Sequence, residues 1–196
     1  MECVGLSRGG ILMEKEKELA LRASQRDAEA FACLYDLYVD GIYKYIFYKV
    51  GDVVETEDLT AQVFLKAWEA IGDYEWRDLP FSAWLFRIAH NLVVDYHRAR
   101  RETVPIEQPE GRPPLVIRDE EMRPEQALEE IMIARQLQEA IAQLTEEQQE
   151  VIILRLLEGY STAEVARIMG KKPGAIRGLK FRALCALREI LDREER

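Results

Sequence analysis

Cysteine is scarce in this chain. Cys3, Cys33 and Cys185 are odd in number and far apart, which excludes a disulfide framework. Histidine is scarcer: His90 and His97 have no cysteine pair or close second histidine at metal-ligand spacing, so no metal site is expected. No run of about 18 apolar residues exists, so no segment is expected to insert into a membrane. The N-terminus lacks the apolar core of a secretory signal, and a cytoplasmic location is expected. Neither a phosphate-cradling glycine loop nor a nucleophile–base pair is present, so no catalytic site and no cofactor are expected. Alternating strand patterns are missing too, which leaves an all-α chain.

What is present is charge, unevenly placed. The formal net charge is −9 over 196 residues, which by itself argues against nucleic acid. Yet Lys171 to Arg188 holds six cations and no acid, and Arg87 to Arg101 nets +3. Between them, Glu102 to Glu130 nets −6. Phosphate attraction acts within a Debye length of about 8 Å, so local patches outweigh the total.

Hydrophobic periodicity predicts helices over about 27–50, 54–71 and 81–101, with a loop from Gly72 to Pro80. Met13 opens a further helical pattern, and residues 1–24 read as a tail and helix start. Residues 103–124 hold five prolines and many acids, which predicts an extended linker. Four short helices are predicted beyond it, at about 125–142, 146–158, 162–169 and 173–191. Thr145 with Gln148, and Ser161 with Glu164, match capping boxes that start two of them. The predicted fold is thus two small helical domains, 25–102 and 125–196, joined by a flexible proline-rich linker.

The second domain carries a helix-turn-helix pattern. Counting Thr162 as first, Ala166 is fifth, Gly170 ninth and Ile176 fifteenth. These are a small residue at the helix crossing, a turn glycine and an apolar lock. Pro173 suits the first turn of the second helix. Arg177, Lys180 and Arg182 project from that helix; Arg177 is placed for a base edge, whereas Lys171 and Lys172 suit phosphates.

The stretch RDLPFSAWLFRIAHNLVVDYHRARR, from Arg77, joins aromatics to arginines. Phe81, Trp84, Leu85, Ile88, Leu92 and Tyr96 share one broad face. Phe86, His90, His97 and Arg101 lie opposite, flanked by Arg87, Asn91 and Arg98. Rings and guanidinium groups suit single-stranded nucleic acid.

These segments, with AFACLYDLYVDGIYKYIFYKVGD and EDLTAQVFLKAWEAI, resemble bacterial RNA polymerase sigma factors of the extracytoplasmic-function (ECF) class. The resemblance covers about residues 27–192. It implies a factor that directs core polymerase to promoters and assists their opening. Asp58, Leu59, Gln62 and Leu65 would contact the β′ clamp helices of core RNA polymerase, and the β flap would be a further contact. Trp76, Arg77, Arg87, Asn91 and Arg98 would capture the melted −10 strand. The helix-turn-helix, with Lys171, Lys172, Arg177, Lys180 and Arg182, would read the −35 duplex, and the acidic linker would pass along the RNA exit path. An anti-sigma factor is a commonly implied partner. The chain departs from the family pattern at Lys171, Lys172, Gly178 and Leu179. The alternative reading is a stand-alone helix-turn-helix regulator, for which residues 27–101 offer no ligand or phosphoacceptor module.

Overall fold

Asp27 begins the first long helix by chemistry that its sequence position predicts. Its carboxylate accepts the Ala30 N–H at 3.1 Å, which satisfies one of the unpaired donors of a helix start. A computed structural model describes residues 10–75, 80–102 and 124–194 of the chain. Among these residues there are eight α-helices and no strand. They are α1 (Gly10–Ser24), α2 (Ala28–Val50), α3 (Val53–Ala70), α4 (Phe81–Glu102), α5 (Pro124–Ala142), α6 (Glu146–Ile152), α7 (Thr162–Ile168) and α8 (Pro173–Glu194). Residues 103–123, the bulk of the predicted linker, lie outside the described residues.

The first four helices bury one apolar face each. Leu34, Ile42, Tyr45 and Ile46 come from α2, Val63 and Ala67 from α3, and Phe81, Leu85 and Ala89 from α4. Helix α1 adds Ala20 and Ala23, both fully buried. Its junction with α2 is fixed by Arg26, which adopts a left-handed backbone at φ 67°. From there its guanidinium donates to the carbonyls of Trp68 at 2.8 Å and Glu69 at 3.2 Å. Those carbonyls end α3, where cations and donors are favoured.

The C-terminal helices follow their capping signals. Ser161 and Glu164 exchange hydrogen bonds of 2.6 and 3.2 Å at the start of α7. Gln148 Oε1 accepts the Thr145 N–H at 3.1 Å at the start of α6. The helix predicted over 146–158 changes character at Ile153, where residues to Leu157 form a π-helical turn. The wider turn keeps Ile152, Ile153 and Leu154 all buried in succession, which a regular helical stripe would not. Gly170 turns the chain between α7 and α8 at φ 63°, a conformation that a side chain resists. Ala166 and Ile176 are buried on either side, as the helix-turn-helix pattern requires.

The two groups of helices pack against each other. Phe86 marks the contact and corrects the helical-wheel reading, which turns it outward. It is only 1% exposed. Its ring meets Tyr45 edge-on at 5.3 Å and Tyr160 at 5.4 Å. Glu158 lies over Gly41 of α2, where a Cβ would come within 2.6 Å of its carboxylate. A side chain at position 41 would oblige the Glu158 carboxylate to shift. One apolar cluster therefore runs from α1 to α8 through both groups.

Gly178 lies within α8. A Cβ there would meet only the flexible tip of Arg182, at 3.4 Å. Gly178→Ala is expected to raise unfolding free energy by about 0.5–1 kcal/mol, the helix-propensity difference, in urea denaturation without DNA.

Candidate nucleic-acid interface

Three surfaces emerge from this packing. On α3, Asp58 is exposed and receives a hydrogen bond from Gln62 Nε2 at 2.7 Å. Leu65 is 57% exposed on the same outer stripe. Leu59 is different: at 5% exposure it packs into the core and supports the stripe from beneath. Sequence reasoning missed Val54, which is 56% exposed one turn before Asp58 and extends the stripe. Its apolar spacing signals burial, so only the packing of α3 reveals it.

On α4, Arg87, Asn91 and Arg98 are all exposed. Their spacing of four and seven residues sets them along one side of the helix. Arg98 pairs with Asp95 at 3.3 Å, a solvent-exposed contact of little energetic weight. Arg87 and Asn91 border a recess of about 190 Å³ whose other walls include Glu150, Ile168 and Met169. Trp76 and Arg77, the remaining members of the predicted strand-capture set, lie outside the described residues.

The third surface is α8. Ile176, Leu179, Ala183, Leu187 and Ile190 hold its inner face. Arg177 and Arg182 are exposed, and Lys180 is half-buried beside Leu179. Lys172 is exposed just ahead of Pro173, and its carbonyl accepts the Ala175 N–H at 2.9 Å. Lys171 is engaged within its own domain, 2.7 Å from Glu147. Phe181 is 70% exposed, one turn beyond Arg177, and was not singled out by the sequence reading. Helix geometry puts it on the cationic side with Arg177.

Where the domains meet, the basic helix faces acid. His90 Nδ1 lies 3.6 Å from Glu150 and its Nε2 lies 3.8 Å from Glu146. The Tyr45 hydroxyl, fully buried, donates to Glu150 at 3.4 Å and accepts from Lys49 Nζ at the same distance. Beside this cluster, a cleft of about 820 Å³ separates α2 and α4 from α5 and α6. Burial lowers the Lys49 pKa from its ordinary value, with Glu150 and Glu146 partly opposing the shift. Burial likewise raises the Tyr45 hydroxyl well above the ordinary tyrosine range.

Residues 34–103 match the family described as Sigma-70 region 2, and residues 134–187 match Sigma-70, region 4. BldN of Streptomyces coelicolor, an ECF RNA polymerase sigma factor, is 40% identical over 179 residues, covering 91% of this chain and 67% of BldN. The chain belongs to the ECF RNA polymerase sigma factors. SigX of Bacillus subtilis, in the same class, is 30% identical over 85% of this chain and 87% of SigX. Among solved structures, CnrH in complex with the cytosolic domain of CnrY shares the fold. Its TM-score is 0.69 at 24% identity, covering 91% of this chain and 98% of that one. RpoE of Bartonella quintana, solved with the anti-sigma factor NepR, has a TM-score of 0.59 at 24% identity over 83% and 96%. As a sigma factor the chain directs core RNA polymerase to promoter DNA for transcription initiation. The stand-alone regulator reading is not favoured, because the region 2 match spans the very segment that it leaves unexplained. Among the described residues no helix is long and apolar enough to cross a membrane.

The buried cluster makes a pH prediction. A lowered lysine pKa means that the fold binds this proton less tightly than the unfolded chain. The contribution of Lys49 is therefore fully present above 10.5 and is lost as pH falls through the lowered folded value. Tyr38, Tyr45 and Tyr74 act in the opposite sense, since their raised values make the fold lose stability as pH rises through 10. The informative quantity is thus a difference between two chains. Lys49→Met is expected to be more stable than the parent at neutral pH. The gap should close as pH approaches 10.5, by at most about 1.4 kcal/mol per pH unit in urea titrations.

Proposed function

We propose that the three surfaces divide the work of promoter recognition, without any covalent chemistry, in the cytoplasm. The outer stripe of α3, with Asp58, Gln62 and Leu65, binds the β′ clamp helices of core polymerase. Leu59 holds that stripe in place. Arg87, Asn91 and Arg98, together with Trp76 and Arg77, capture the melted non-template strand of the −10 element. Unstacked bases gain about 1–3 kcal/mol each from aromatic stacking, and the arginines hold the phosphates. The C-terminal domain binds the β flap and reads the −35 duplex. Arg177 contacts a base edge with Phe181 beside it, while Lys172, Lys180 and Arg182 contact phosphates. Lys171 reaches a phosphate only by leaving Glu147. The observation that carries this reading is the coexistence of an exposed polar and cationic side on α4 with an exposed cationic side on a glycine-turned helix-turn-helix.

The same reading requires the domains to part. By their names the two promoter elements are about 25 base pairs apart, or about 85 Å at 3.4 Å per pair. In the packed arrangement Phe86 and Tyr160 are in ring contact. The 21 residues between Glu102 and Pro124 span at most about 75 Å when extended, which suffices once the two domains add their own dimensions. Until the domains separate, the carboxylates of α6 stand beside the side of α4 that would take up strand phosphates. An anti-sigma factor that stabilises the packed arrangement is the corresponding regulatory partner. RpoE, which shares the fold, was solved with an anti-sigma factor, NepR.

Transcription with cognate core polymerase tests the assignment. On templates with a pre-melted −10 bubble, Asn91→Ala and Arg98→Ala are expected to change sequence preference within the bubble. They should also reduce opening of fully duplex promoters, with helix content intact. Unaltered opening and preference would remove α4 from the −10 role. At the −35 element, Arg177→Ala is expected to cost about 1–3 kcal/mol and to relax preference at one or two base pairs. Lys172→Ala should weaken binding evenly and lower the salt slope by about one unit. Equal loss on every −35 sequence for Arg177→Ala would exclude a base-edge contact.

A further inference from the structure

Helix α4 begins at Phe81. Pro80 precedes it, and Pro has no side-chain acceptor for the first N–H groups. Among the described residues, a side-chain acceptor comes from α1. Glu16 Oε1 takes the Ser82 N–H at 3.1 Å, across 66 residues of sequence. The Tyr38 hydroxyl and the Phe81 backbone lie near enough to this carboxylate to oppose part of the pKa rise that burial causes. Glu16 is 5% exposed, so an acid is held inside the domain to do this. A buried carboxylate is costly, and burial raises its pKa above the ordinary value. A helix needing only a cap would find a cheaper one in a serine or aspartate at its own N-terminus.

The position of Glu16 explains what the arrangement secures. Two described segments converge here: Tyr74 on the α3 side, and Phe81 and Ser82 at the start of α4. The Tyr74 ring packs against Phe81 at 5.7 Å and against Trp84 at 5.0 Å. Glu16 is close enough to Tyr74 to raise its hydroxyl pKa further. The region 2 match begins at residue 34, so α1 lies outside it.

We infer that Glu16 is a positioning residue for −10 recognition: from α1 it sets the start of α4, and so the placement of Arg87 and Asn91. This rests on the reading of α4 as the −10 reader. Glu16 touches no DNA in this role. It acts through the reach of its carboxylate oxygen to the α4 backbone and not through its charge.

Four variants in the full chain with core polymerase test it: Glu16→Ala, Glu16→Gln, Glu16→Asp and Asn91→Ala. The readout is the ratio of open-complex formation on a preferred pre-melted bubble to that on single-base variants of the bubble. A ratio is unaffected by a smaller folded fraction, so a merely structural role would leave it unchanged. Glu16→Ala should reduce the ratio by about 2- to 30-fold, the range over which residues that touch neither ligand modulate a site. Binding to an isolated −35 duplex should stay unchanged. Glu16→Gln keeps the acceptor at the same reach and should preserve the ratio. It should also melt no lower than the parent, since it removes a desolvated charge. Glu16→Asp keeps the charge but is one methylene too short, and should lose the ratio as Ala does. If Glu16→Ala does not fold, the Gln and Asp pair decides. Asp retaining the ratio while Gln loses it, or all three Glu16 variants retaining it while Asn91→Ala does not, overturns the inference. An Asn91→Ala chain that behaves as the parent overturns the reading beneath it instead.

Discussion

Helix α4 is packed on two sides, and that constraint organises the molecule. One side carries Phe81, Leu85, Ala89 and Leu92 into the first domain. Another carries Phe86 against Tyr160 of the second. What remains exposed is a narrow strip with Arg87, Asn91 and Arg98. A helix with two apolar sides is stable only while both are covered or while one is short. Parting the domains would uncover Phe86 and also the side chains beside it across the contact, among them Tyr160, Ile168 and Met169. Fully exposing each such side chain costs roughly 1.5–3 kcal/mol, so in the proposed function polymerase and DNA contacts have several such costs to offset.

Charge reinforces the same arrangement and also makes it reversible. Glu146 and Glu150 lie beside His90, at the side of α4 where an anionic strand would lie in the proposed function. When His90 is protonated, its two neighbouring carboxylates favour the packed form. Such pairs are weak at partly exposed sites, and salt weakens them further. A polyanion offering many phosphates at once competes well against two carboxylates. The buried part of the cluster, Tyr45 with Lys49 and Glu150, is a poor source of stability because Lys49 is desolvated there.

The glycines and caps show how locally the backbone is specified. Gly170 has the left-handed conformation that its place in the turn pattern calls for, and the Ser161–Glu164 box forms with both hydrogen bonds. Gly41 has no such local signature. Its role appears only when Glu158, far along the chain, is seen lying over it. The same contrast separates Asp27, which caps its own helix, from Glu16, which caps another.

Helix positions, the capping boxes, the helix-turn-helix and the two basic patches were legible in the sequence, because each depends on residues within one or two turns of one another. Periodicity also identified most of the core faces. It could not tell that Phe86 and Leu59 are buried while Val54 and Phe181 are exposed. A helical wheel ranks the faces of an isolated helix, whereas burial depends on how many neighbours that helix has. Phe86 is buried because a second domain supplies a neighbour on a side that the wheel leaves open. Val54 and Phe181 are exposed because nothing among the described residues covers them. Lys171 read as a free cation until α6 brought Glu147 to it. By itself the sequence determined the local order of the chain, since hydrogen bonding and side-chain spacing act over a few residues. Only the tertiary structure decided which surfaces face each other, since that depends on contacts between residues a hundred positions apart.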